Sequence, residues 1–206
     1  YSVNMSKVHR NVIFRNDRVP ELPISSLEAP DAVDLWDQLD ELCTESGSGC
    51  EVLTIPHNSN VSNGRLFEIT WQRESREEQV RQASVRARMD RLVEIMQVKG
   101  ESECQNGLFD VVGEEDELCS FEKIRDMASS PPDDCEEDIG SGAIRGSGCQ
   151  SRVDFARYAL VEGLREEERI GVNPFQFGMI GSTDGHNANP GDVEEHGWQG
   201  CCAGTD

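Results

Sequence analysis

Residues 178–191 read G-M-I-G-S-T-D-G-H-N-A-N-P-G, and within them Asp184 and His186 stand one residue apart. In extended backbone, residues two apart point to the same side, so a carboxylate and an imidazole would face one space. Such a pair can hold Zn, Mn or Fe, because both groups reach one ion without bending the backbone. The competing reading is a surface loop in which Asp184 and the neighbouring asparagines only make turns. A short apolar run (Phe177, Met179, Ile180) precedes the pair and predicts a buried strand that delivers it. Two earlier stretches end the same way. Glu51–Pro56 predicts a strand running into His57-Asn58-Ser59-Asn60, and Leu92–Val98 predicts one running into Lys99-Gly100-Glu101-Ser102-Glu103. Charged groups at three successive strand ends are harder to assign to turn-making than one such pair.

The intervening chain supplies the elements that would position them. Val8–Phe14 predicts a strand, and His9 and Arg10 in it are further candidates, against the commoner structural role of a lone histidine; Pro20, Pro23 and Pro30 then impose an extended connection. Asp31 caps a helix expected to reach about Cys43, with Val33, Leu35, Trp36, Leu39 and Leu42 on its apolar side. Residues 73–91 are rich in Arg, Glu, Gln and Ala and predict a helix whose charges serve solubility. From 104 to 150 the pattern dissolves into acidic runs, a Pro131-Pro132 pair and Gly/Ser repeats, with a helical turn expected around Phe121–Met127. So long an irregular stretch is read as a cysteine-pinned, acidic excursion from the domain. Ser151 caps a last helix carrying Val153, Ala156, Leu160 and Leu164, which Gly171 ends. Helices alternating with strands predict an α/β fold with a parallel sheet, in which functional residues gather at the carboxyl ends of the strands. His57, then Lys99, Glu101 and Glu103, then Asp184 and His186 hold that position. His196 is a weaker candidate ligand, in a stretch without regular pattern.

Composition narrows the partners. The chain has 206 residues, consistent with a single domain over 1–206 and short of the ~250 usual for a closed (β/α)8 barrel. Its 40 acidic residues against 19 Lys plus Arg leave a net charge of -21, which argues against nucleic acid and anionic membrane surfaces. No apolar run approaches ~18 residues, so membrane insertion is not expected. Eight cysteines, none in C-x-x-C spacing, fall in loops and near element edges: Cys43, Cys50, Cys104, Cys119, Cys135, Cys149, Cys201 and Cys202. That placement predicts disulfides and a periplasmic or secreted location, with the pairing left open.

Several stretches also carry a resemblance. H-R-N-V-I-F (9–14), I-P-H-N-S-N-V-S-N-G (55–64), V-K-G-E-S-E-C (98–104), D-E-L-C-S-F-E (116–122) and G-V-N-P-F-Q-F-G-M-I-G-S-T-D-G-H-N-A-N-P-G (171–191) resemble domain of unknown function 3604 over nearly the whole chain. That family is similar to the polymerase-and-histidinol-phosphatase (PHP) metal-dependent phosphoesterases, whose fold is a distorted (β/α)7 barrel binding up to three metal ions. In that superfamily one late strand ends in His-Pro and a later one in Ser-Asp-x-His. His57 and the pair Asp184 and His186 match these positions, although Pro56 precedes its histidine instead of following it. The superfamily's opening H-x-H and its next Asp/Glu-His segment have no counterpart in this chain. The resemblance therefore implies the carboxyl-terminal part of a larger PHP-type barrel, lacking the amino-terminal part of its own barrel. A chain with half the ligand set is expected to bind metal weakly and to be inactive alone.

The expected chemistry is hydrolysis of a phosphorylated small molecule by water activated by a divalent metal (Zn, Mn or Fe). His57, Asp184 and His186 would be ligands, Lys99 would stabilise developing charge, and Glu103 would orient a ligand or add one. Asn58 and Asn187 would orient substrate. Asn60, in an N-V-S sequon, would carry glycan only in a eukaryotic secretory host. The main alternative is a secreted, disulfide-stabilised interaction or carbohydrate-associated module without catalysis, though no D-x-D-x-D-G loop for Ca2+ is present. A serine or cysteine hydrolase is weaker still, for want of a G-x-S-x-G elbow.

Overall fold

A computed structural model describes residues 6, 8–97, 99–108, 115–120, 123, 134–136, 138–142 and 148–184. Strand β1 (Arg10–Phe14) leads through the proline-rich connection to helix α1 (Ala32–Leu39). Asp31 caps α1 by accepting a hydrogen bond from Asp34 N at 2.9 Å. The regular helix stops earlier than its apolar spacing predicts, widening into a π turn over Asp40–Thr44 that closes onto the Cys43–Cys50 disulfide. Strand β2 (Val52–Pro56) follows, then helix α2 (Arg76–Met89), capped by Ser75. Helix α2 keeps Glu77 and Glu78 in its first turn and Arg86 and Arg88 in its last, as the helix dipole favours. Strand β3 (Leu92–Gln97) turns back at once into the two-residue β4 (Gly100–Glu101), which the sequence pattern does not reveal. Gly100 makes that reversal at φ 75°, a left-handed conformation that suits glycine. Ser151 caps a 3-10 turn over Arg152–Asp154, not α3 itself; α3 spans Ala156–Ile170 and ends at Gly171, φ 85°. Strand β5 (Gly178–Gly181) completes the set.

Strand direction decides where the candidate residues go. β3 pairs in parallel with β5, and a parallel bridge between Thr54 and Asp90 joins β2 to the residue two before β3. The carboxyl ends of β2, β3 and β5 therefore lie along one rim. β1 runs antiparallel to β2, with Arg10 opposite Pro56 and Phe14 opposite Val52. Its amino end reaches the same rim, which a scheme of successive βα units does not anticipate. The fold is mixed α/β with small sheets, and the described residues form no closed barrel.

Two hydrophobic clusters support the rim. One joins Val8, Leu66, Phe67 and Val93 to Ala156 and Ala159 of α3 and to Phe175 and Phe177. The other packs Leu35, Trp36 and Leu39 of α1 on Val85 and Met89 of α2. Arg86 corrects the view of α2 as a helix with purely solubilising charges. It is 3% exposed, and its guanidinium lies 5.3 Å from the Trp36 ring and 4.6 Å from Phe175.

Within the irregular excursion, disulfides Cys104–Cys119 and Cys135–Cys149 join sequence neighbours, a pairing the sequence leaves open. The three disulfides among the described residues fit an oxidising environment. Most of Phe121–Met127, together with Cys201 and Cys202, lies outside the described residues. Among the described residues no helix is long and apolar enough to cross a membrane.

Candidate functional site

His57 leaves β2 directly after Pro56, and its backbone N–H donates to His9 O at 3.4 Å. The two imidazoles sit edge to face with centroids 5.7 Å apart. His57 Nδ1 is buried and has no hydrogen-bond partner among the described residues. Burial pushes the His57 pKa down to about 4; the neighbouring His9 adds to the effect, the Asp184 carboxylate opposes it, and Lys99 lowers it further. Asp184, beyond the end of β5, thus acts electrostatically on His57, and it holds a left-handed backbone at φ 57°.

The imidazole of His57 is therefore neutral near pH 7, with a lone pair on one of its two ring nitrogens. Because its folded pKa is depressed, His57 contributes stability fully present above the ordinary imidazole value of ~6.5 and lost as pH falls toward about 4. An NMR titration of the histidine ring protons should place the His57 midpoint near 4. A midpoint at the ordinary value would show that this environment is wrong.

From β3 come Glu94 and Gln97, and from the turn after it Lys99, each 4% exposed. Lys99 Nζ lies 2.6 Å from Ser102 Oγ, and burial brings its pKa down to about 7, with Glu94 pulling the other way. Glu94 accepts from Ser182 Oγ at 2.6 Å, and its pKa is raised, chiefly by burial. Glu94 feels both Lys99 and Asp184. The rim therefore gathers His9, His57, Glu94, Lys99, Ser182 and Asp184. Glu94 escapes sequence reading that looks only past strand ends, although an acid inside an apolar strand is the available signal.

Other expected site residues are engaged elsewhere. Glu103 is exposed and its carboxylate pairs with Arg157 at 2.7 Å. Glu101 forms an ion pair with Lys123, whose own charge acts on Lys99. Asn58, 7% exposed, uses both ends of its amide inside the protein, toward His9 Nδ1 at 2.8 Å and Gln97 at 3.3 Å. Asn60 is 2% exposed and donates to Lys99 O at 2.8 Å, which locks the loop after β2 to the turn after β3. His186, Asn187 and His196 lie outside the described residues.

An orphaned, neutral imidazole nitrogen beside a carboxylate suits a divalent ion. Among the described residues, no three His, Cys, Asp or Glu side chains form a ligand group. A complete shell would need a donor such as His186.

The model of the family described as protein of unknown function, DUF3604, matches residues 1–206. The chain belongs to that family. No curated protein and no solved structure matches this DUF3604 chain.

Proposed function

We propose that this DUF3604 chain forms part of a metal-dependent hydrolase centre of PHP type, acting on a phosphorylated small molecule outside the cytoplasm. The observation that carries the reading is the buried Nδ1 of His57, unpartnered among the described residues and under the influence of Asp184, at a rim where parallel strands end. The three disulfides support the extracytoplasmic location. His57 and Asp184 would hold a divalent ion, with His186 completing the set. Such an ion supplies Lewis acidity, polarising a phosphoryl oxygen and making water a better nucleophile near neutral pH.

The residues of the chain supply the rest. Lys99, with its pKa about 7, gives a cation that an anionic substrate stabilises in the charged form. Its burial strengthens that attraction relative to a surface lysine. Glu94 acts on Lys99 and Asp184 acts on Glu94, so an incoming anion meets opposed fields unless cations bind with it. Asn187 remains a proposed substrate contact.

Metal content is the deciding measurement, because activity needs the full ligand set. The chain is purified without chelator, equilibrated with Zn2+ and analysed for bound metal beside His57→Ala. Loss of one first-sphere donor should weaken binding by at least about tenfold, the lower end of what even a supporting residue costs. Equal zinc in both proteins would remove the proposal. Hydrolysis of an aryl phosphate, where present, should fall in parallel.

A further inference from the structure

A chain of hydrogen bonds along the rim has only one consistent polarity. It starts at the backbone N–H of Lys99, which can only donate, and which donates to the side chain of Gln97 at 2.9 Å. The Gln97 oxygen is therefore Oε1, and its other end, Nε2, must donate. That end meets the Asn58 amide at 3.3 Å, so Asn58 turns Oδ1 toward Gln97 and is left with Nδ2 facing His9. Asn58 Nδ2 lies 2.8 Å from His9 Nδ1. Turning either amide around would oppose two donors in a place where Gln97 and Asn58 are 4% and 7% exposed. His9 Nδ1 is thereby an acceptor, and the ring carries its one proton on Nε2. A single main-chain group, relayed through two amides, sets the tautomer of an imidazole just before β1.

The arrangement differs from that of a metal-ligating histidine. Such a histidine donates its second N–H to an oxygen and keeps the opposite nitrogen bare for the ion. His9 has the reverse assignment. We propose that His9 enters the site as a fixed hydrogen-bond donor to a phosphoryl oxygen, not as a metal ligand, with Asn58 and Gln97 as its positioning residues. The identity of the accepted oxygen rests on the hydrolase reading above; the tautomer does not. Asn58 accordingly moves from substrate contact to support of the residue that makes the contact.

The test uses the whole chain, labelled with 15N, and two-bond 1H–15N correlation spectra at neutral pH, with His9→Phe identifying the His9 signals. The expected spectrum shows a protonated Nε2 and a bare Nδ1. Gln97→Glu is the discriminating variant. Its carboxylate still accepts from Lys99 N–H but now offers an acceptor to Asn58, so Asn58 reverses and His9 moves its proton to Nδ1. In the zinc-equilibrated chain, His9→Phe should leave zinc content at the wild-type level. It should weaken inorganic phosphate about tenfold, as loss of a hydrogen bond to a charged oxygen does. A wild-type proton on Nδ1, a Gln97→Glu spectrum like that of wild type, unchanged phosphate affinity, or zinc lost as in His57→Ala would each overturn the proposal. The two readings separate cleanly. Unchanged zinc in His57→Ala removes the metal centre and leaves the tautomer standing, whereas a proton on Nδ1 removes the His9 role and leaves the zinc.

Discussion

Asp90→Ala is expected to cost about 3–5 kcal/mol of folding stability, the range for breaking a buried ion pair by deleting one partner. Asp90 is 1% exposed and serves two buried guanidinium groups at once. Arg10 approaches it at 3.4 Å and Arg86 at 3.7 Å, and Thr54 Oγ1 donates to it at 2.5 Å. Trp36 stacks against both arginines and donates its indole N–H to Thr54 at 3.1 Å. Removing the carboxylate takes from two buried guanidinium groups the ion-pair partner they share, leaving Arg86 the weaker pull of Glu68. Both arginines also donate to backbone carbonyls, Arg10 to Val8 and Leu66 and Arg86 to Glu68 and Leu66. Asp90→Asn keeps the shape and an acceptor for Thr54, so its loss should be smaller than that of alanine. Urea unfolding followed by circular dichroism measures both. Midpoints unchanged from wild type would mean that the network does not hold α1, α2 and the start of β1 together.

The second large effect is expected at Asp154, which is fully buried. Its carboxylate accepts from Ser62 Oγ at 2.7 Å, from Gly64 N at 2.8 Å and from Ser151 N at 2.9 Å. One side chain thus closes the capping box at Ser151 and anchors the far end of the loop that follows His57. Each buried donor stripped of its acceptor costs about 1–3 kcal/mol, so Asp154→Ala should lose about 3 kcal/mol or more. Amide exchange should show where. Gly64 N–H should exchange at least tenfold faster than in wild type, while amides in the middle of α2 follow only the global change. Wild-type protection at Gly64 would show that the loop does not depend on this carboxylate.

Much of the local structure is legible in the sequence. Asp31 and Gly171 mark helix ends through their own capping chemistry, and the apolar runs before His57, Lys99 and Gly181 read as strands. Strand partnership is less local. Nothing in V-H-R-N-V-I-F states that it pairs antiparallel with β2, and that pairing alone carries His9 to the rim. Arg86 looks like any other charge on a polar helix until three aromatic rings from distant segments close over it. Glu103 looks equivalent to Lys99 at a strand end. The Gly100 reversal separates them, sending Lys99 inward and leaving Glu103 to Arg157 at the surface.

The contact between Asn60 and the Lys99 carbonyl bears on how this protein can be made. In the folded chain the sequon amide is already consumed, and too little of it is accessible for an oligosaccharyl enzyme to reach. Glycan could be attached only to the nascent, unfolded polypeptide, where it would prevent the loop from closing over the turn after β3. A bacterial host without that transferase therefore suits production better than a eukaryotic secretory line.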